Sequence, residues 1–131
     1  MKKILILGSS GLIGSTLYKY LSSINKISVH GTYNSNKPPF QNQIKFDFNN
    51  DNIDFLDDYD LIINCIGITK HNPKSFNLEV VYNLNIKLPL ILNDLVKLKK
   101  VNVIQISSDC VFSGSTGNYK ENSCDYSFDT Y

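Results

Sequence analysis

The chain has 131 residues, 42% hydrophobic and 19% charged, a globular composition too apolar for a disordered tail and sized for one compact domain. Thirteen basic side chains against twelve acidic ones leave a net charge of +1, which gives no dense basic face and excludes nucleic acid as the default partner. All of the basic residues are lysines, so an anion site here must use lysine, backbone amides or hydroxyls in place of the bidentate arginine fork.

Residues 4–7, Ile-Leu-Ile-Leu, are apolar at every position, the pattern of a strand covered on both faces. A glycine-rich turn follows, and from Leu12 the apolar residues Ile13, Leu17, Leu21 and Ile24 fall at helical spacing, predicting a helix that ends near Asn25. Residues 27–33 alternate and read as a second strand. Residues 34–43, with Pro38-Pro39, form a polar loop, and residues 44–48 a short third strand. A short helix is expected at 51–57 and a buried fourth strand at 60–66. A long helix fits residues 75–98, with Leu78, Val81, Tyr82, Asn85, Leu88, Leu92, Leu95 and Val96 as its inner stripe and Pro89 as a kink or break. Residues 101–107 are the fifth strand, and the chain after Phe112 reads as polar loop.

Strands alternating with helices predict an α/β fold, a doubly wound parallel sheet of about five strands. Right-handed crossovers place the first three strands on one side and the last two on the other. A topological switch then lies between strands one and four, and ligands of such sheets bind beyond the carboxyl ends of the strands.

Gly8-Ser9-Ser10-Gly11-Leu12-Ile13-Gly14 stands between the first strand and the first helix, the setting of a dinucleotide-binding turn, with spacing G-x-x-G-x-x-G. Gly8 permits the tight turn, Gly11 lets a pyrophosphate approach the backbone, and Gly14 lets the helix pack closely on the sheet. Ser10, Leu12 and Ile13 complete the helix start, whose free amides and partial positive charge suit phosphates. A dinucleotide site choosing NAD usually ends its second strand with an acid that binds the ribose 2′-hydroxyl. Here the stretch is His30-Gly31-Thr32-Tyr33-Asn34-Ser35-Asn36-Lys37. Nothing in it repels a 2′-phosphate, and Asn34 and Lys37 are candidate partners, so NADP(H) is favoured and NAD(H) stays open.

His30 and His71 have no second ligand type in metal-like spacing, so no metal is expected. Cys65, Cys110 and Cys124 are odd in number and match neither a zinc site nor a disulfide framework, which fits a reducing compartment. The apolar run at 4–7 is cut by Gly8, too short for a secretory signal, and no stretch approaches the roughly eighteen apolar residues of a membrane span. The expectation is a cytoplasmic protein with no membrane partner.

Ile106-Ser107-Ser108-Asp109-Cys110-Val111-Phe112-Ser113-Gly114 resembles the strand end Ser-Thr-Asp-Tyr-Val-Phe-x-Gly of the dTDP-4-dehydrorhamnose reductase family, within the extended short-chain dehydrogenase/reductase superfamily. Other segments resemble that family in order. The glycine turn is similar to its cofactor fingerprint, Asp47-Phe48 to the acid and neighbour that flank the adenine, and Asn64-Cys65-Ile66-Gly67 to the strand end lining the cofactor cleft. Asn85 matches the asparagine of the following helix, and Asp129-Thr130-Tyr131 resembles the lead-in to the catalytic Tyr-x-x-x-Lys motif. The resemblance implies a Rossmann-like fold, and Asp47, Phe48, Cys65, Ile66, Gly67 and Asn85 beside the cofactor. It also implies Tyr131 as general acid and Ser108 as the hydroxyl that orients the substrate carbonyl.

The chain stops at Tyr131, before the family's lysine and its carboxyl-terminal substrate domain. Residues 1–131 are therefore expected to be the cofactor-binding part of an NADPH-dependent reductase acting on a 4-keto-6-deoxy nucleotide sugar for surface polysaccharide synthesis, inactive as they stand, with oligomerisation open. The alternatives are a non-catalytic dinucleotide-binding or regulatory subunit of the same fold, and a nucleotide-sugar epimerase or dehydratase.

Overall fold

In β1 (Lys2–Leu7) every residue from Ile4 to Leu7 is buried, because the strand has neighbours on both edges and helices on both faces. The computed structural model describes residues 1–69, 72, 74, 77–98 and 101–127. Around β1 lie β2 (Ile27–Tyr33), β3 (Gln43–Lys45), β4 (Leu61–Asn64) and β5 (Asn102–Gln105), all parallel, in the order β3-β2-β1-β4-β5. Ile4 faces Val29 on one side and Leu61 on the other. Strand order reverses between β1 and β4, as expected of a doubly wound, Rossmann-like sheet.

Period-two alternation along β1 divides the core. Leu5 and Leu7 pack with Phe46, Leu56, Ile62, Leu88 and Leu92 on one face, while Ile6 packs with Tyr18 and Val29 on the other. Helix α1 (Leu12–Ser22) supplies Tyr18 to the second face. Tyr18 stacks on Phe40 at 4.8 Å and donates its hydroxyl to the Gln41 carbonyl, anchoring the loop between β2 and β3.

Several element bounds differ from the sequence expectations for local reasons. Helix α1 ends at Ser22 rather than near Asn25: the Ser23 and Ile24 amides reach back three residues to Tyr20 and Leu21, and Lys26 takes a φ of +74° to enter β2. The third strand spans Gln43–Lys45, not 44–48, because Asp47 starts a turn of its own. The Asp47 carbonyl accepts from the Asn50 and Asp51 amides and its carboxylate from the Asn49 amide, a local competitor to strand pairing. The short helix is a 3₁₀ turn at Asp54–Asp58. Strands four and five are shorter than expected, their ends turning into the loops described below.

The expected long helix is three pieces where it is described: α2 (Leu78–Tyr82), a π turn (Asn83–Lys87) and α3 (Leu88–Lys97). Asn77 caps α2, its carboxamide oxygen accepting from the Glu79 and Val80 amides. Pro89 has no amide to donate, and the Leu88 amide reaches five residues back to the Asn83 carbonyl. The wider turn rotates the helix faces. Val81, Leu88 and Leu92 are buried as expected, but Leu78, Tyr82 and Val96, expected on the inner stripe, are exposed.

Glycine governs the seam between α1 and the sheet. A Cβ on Gly14 would lie 2.3 Å from the Gly8 carbonyl oxygen, whereas one on Gly11 would meet that oxygen at an ordinary 3.4 Å. Gly14→Ala should therefore destabilise the fold by about 1–3 kcal/mol, lowering Tm by roughly 5–15 °C. Gly11→Ala, which meets no close contact and only gives up glycine at the α1 N-cap, should cost less, lowering Tm by no more than about 5 °C. Thermal unfolding followed by circular dichroism checks the pair.

Candidate functional site

Where β1 ends, Gly8 takes a φ of +80°, which glycine adopts without strain, and the chain folds back against β2. The Gly8 amide donates to the Thr32 hydroxyl at 3.0 Å and the Ser9 amide to the Thr32 carbonyl at 2.8 Å. The buried Ser9 hydroxyl reaches both the Thr32 carbonyl and the Gln43 carboxamide oxygen. A Cβ on Gly31 would lie 2.4 Å from the Ser9 hydroxyl, so this contact requires glycine within β2. The Gly11 amide closes the turn on the Gly8 carbonyl at 3.0 Å. Gly11 then caps α1 in extended conformation, and Leu12 and Ile13 open the helix 85% and 49% exposed.

Two clefts flank this turn at the carboxyl ends of the strands. The first, about 490 Å³, lies between the turn, the end of β2 and the Asp47 turn, and is lined by Gly8, Ser10, Gly11, Asn34, Asp47 and Phe48 among others. The second, about 460 Å³, lies between α1, the π turn and the end of β5, and includes Ile13, Asn85 and Ser108. Both share the wall Cys65-Ile66-Gly67. The two together straddle the reversal of strand order.

That wall is held from two sides. Asn64 is fully buried; its Nδ2 donates to Gln105 Oε1 at 2.8 Å and its Oδ1 accepts from the Ile66 amide at 3.1 Å, so one side chain ties β4 to β5 and bends the chain out of β4. Asn85, in the π turn, grips the next residues: Oδ1 accepts from the Ile68 amide at 2.8 Å and Nδ2 donates to the Ile68 carbonyl at 2.9 Å. Burial pushes the Cys65 thiol above its ordinary pKa, keeping it neutral. The Asn49 amide and the Asn50 side chain hold the Asp47 carboxyl below the usual carboxylate range, keeping it ionised.

Beyond β5, Ser108 caps a 3₁₀ turn (Asp109–Val111): its hydroxyl accepts from the Cys110 amide at 3.2 Å and donates to Asp109 Oδ1 at 3.3 Å while lining the second cleft. The following stretch, expected as polar loop, closes on itself through a bridge between Phe112 and Tyr126 and a ring stack of Phe112 on Tyr119 at 4.5 Å. Asp125 Oδ2 accepts from the hydroxyls of Ser113, Ser115 and Tyr119 at 2.6, 2.6 and 2.9 Å, which keeps its carboxyl below the ordinary range.

Of the residues singled out in the sequence, Leu12, Gly14 and Lys37 line neither cleft. Leu12 faces outward at the start of α1, Gly14 lies buried beneath the turn, and Lys37 is exposed on the loop after β2. Tyr131, expected as general acid, and His71 lie outside the described residues. Thr32 and Tyr33, in the stretch after His30 whose hydroxyls are available to a 2′-phosphate, line the first cleft, and Ser107 of the strand-five motif lines the second; residues that the sequence does not single out for the site include Asn49, Lys74 and Asn77 in the first cleft and Gln105 in the second. Gly31 was the readable signal for the first group, since glycine inside a strand marks a close backbone approach.

The NAD dependent epimerase/dehydratase family matches residues 4–130. A probable low-salt glycan biosynthesis reductase of Haloferax volcanii is 30% identical over 121 residues, covering 88% of this chain and 40% of that protein. Among solved structures, a hypothetical dTDP-4-dehydrorhamnose reductase of Sulfolobus tokodaii superposes with a TM-score of 0.79 at 30% identity, over 100% of this chain and 48% of that one. An ADP-L-glycero-D-manno-heptose-6-epimerase of Helicobacter pylori superposes with a TM-score of 0.80 at 22% identity, over 99% of this chain and 46% of that one. The chain thus spans less than half the length of these relatives. With the glycine turn, the strand order and a match over nearly every residue in agreement, the chain belongs to the NAD dependent epimerase/dehydratase family.

Proposed function

We propose that residues 1–131 are the dinucleotide-binding part of a longer NADPH-dependent reductase that acts in the cytoplasm on a 4-keto-6-deoxy nucleotide sugar. The carrying observation is the pair of clefts that meet across Cys65-Ile66-Gly67 beside the glycine turn. Their arrangement suits a two-ended ligand with its anionic middle at the start of α1. A dinucleotide fits the residues present. Ser10 and Gly11 would face the pyrophosphate, Asn34, Asp47 and Phe48 the adenosine end, and Ile13, Asn85 and Ser108 the nicotinamide end. Gly14 serves by letting α1 close on the turn.

Asn34 rather than an acid lines the cleft just past β2, which supports NADPH over NADH. The carboxylate in that cleft, Asp47, is occupied by its own turn, accepting from Asn49 and Asn50. Lys37 would act only from the cleft's margin. Reduced nicotinamide, when bound, supplies hydride. Ser108 would hold the substrate's carbonyl oxygen by its hydroxyl and Tyr131 would give that oxygen its proton, two roles that rest on resemblance to the dehydrorhamnose reductases. Reduction is favoured over epimerisation because the relatives named above at 30% identity are both named reductases, while the epimerase stands at 22%.

Calorimetric titration tests the dinucleotide site. NADPH should bind more tightly than NADH, and Gly11→Val should abolish binding of both by filling the approach to the turn. Failure of the parent protein to bind either nucleotide overturns the reading.

Asn85 supplies a separate check on the wall. Asn85→Ala removes both bonds to Ile68, and should lower stability by about 1–3 kcal/mol and weaken NADPH binding roughly tenfold. Asn85→Asp keeps the acceptor but sets an oxygen against the Ile68 carbonyl, and should do no better. Thermal unfolding and titration of the two variants measure these effects.

A further inference from the structure

We infer that Thr32 is the positioning residue of the glycine turn, setting which backbone amides face the ligand; this rests on the dinucleotide reading above. Thr32 is 1% exposed, at the end of β2 where the sheet opens toward the first cleft. Main-chain pairing between β1 and β2 runs to Ile6 and Gly31. Past that point the Thr32 hydroxyl takes the Gly8 amide at 3.0 Å, and its carbonyl takes the Ser9 amide at 2.8 Å and stands 3.0 Å from the Ser9 hydroxyl.

These bonds sort the amides of the turn. Gly8 and Ser9 donate to Thr32, and Gly11 donates to the Gly8 carbonyl. Among the described residues the Ser10 amide has no acceptor, and Ser10 lines the first cleft. Thr32 therefore turns two amides inward and leaves the next for an anion. Valine has nearly the same shape without an acceptor, and would strand the Gly8 amide half-buried without a partner, a loss the turn can relieve only by moving.

Amide hydrogen exchange by NMR and nucleotide titration on the purified protein test this. In the parent, Gly8 and Ser9 should be protected without ligand, and Ser10 only once NADPH is added. Thr32→Val should lose Gly8 protection and bind NADPH and NADH each about tenfold more weakly, with their ratio unchanged. Thr32→Ser, which restores the hydroxyl, should return both affinities to within about twofold of the parent. The inference is overturned if Thr32→Val binds like the parent, if it alters the NADPH to NADH ratio, or if Thr32→Ser gives no rescue. If Thr32→Val does not fold, the serine variant and parent exchange decide, an unprotected Gly8 amide in the parent overturning the inference. A parent that binds neither nucleotide instead removes the dinucleotide reading on which it rests.

Discussion

Close backbone contact around the turn at Gly8 is the constraint on which the rest depends. The Gly8 carbonyl oxygen sits where a Gly14 Cβ would be, and the Ser9 hydroxyl where a Gly31 Cβ would be. Two glycines, Gly14 six residues along the chain from Gly8 and Gly31 in β2, therefore fix the height of the turn above the sheet, one through α1 and one through β2. With both in place, α1 starts directly beyond the end of β1 and its amino terminus opens at the reversal of strand order. A side chain at Gly14 would press on the backbone of Gly8 and Ser9, and one at Gly31 on the Ser9 and Gln43 side chains, so neither could be added without a shift in the turn or its supports.

The opposite wall is set by polar side chains rather than by close packing. Asn64 and Asn85 between them hold the chain from Ile66 to Ile68 by three hydrogen bonds. Each is placed by a break in regular structure: Asn64 by the end of β4, Asn85 by the π turn ahead of Pro89. A proline that ends regular helix pairing and an asparagine that grips a loop thus act together, because the wider turn brings residue 85 toward the wall while Leu88 and Leu92 stay in the core. Rigid strands fix the turn side, and amide side chains the other.

Much of this was legible in the sequence, for reasons that differ by element. The unbroken run at 4–7, too short for a helix and ended by Gly8, reads as a strand covered on both faces, and the strand order followed from crossover handedness. Glycine spacing located the turn because it reports where side chains cannot fit. The helix face was misread at Leu78, Tyr82 and Val96 because a 3.6-residue period was carried through a proline-adjacent stretch that the structure winds as a π turn. Asp47 ended the third strand early through bonds to its own following residues, which alternation of apolar residues does not report. The sequence offers Thr32 only as one hydroxyl of the stretch after His30, because its bond to the turn depends on where Gly8 lies in space, 24 residues away.

The absence of arginine bears on how such a site can work. A chain whose cations are all lysines presents no planar fork for a pyrophosphate, and no lysine stands within the turn itself. An anion at the turn would be met first by amide dipoles and hydroxyls, whose direction depends on backbone path rather than on residue type, with Lys74 as the cation lining the same cleft. Backbone path is what this chain shares with a relative only 30% identical to it, at a TM-score of 0.79. A cleft built in this way keeps its ligand geometry through wide sequence change. The same economy lets one backbone turn stand beneath many chemistries, because substrate choice rests on side chains outside it.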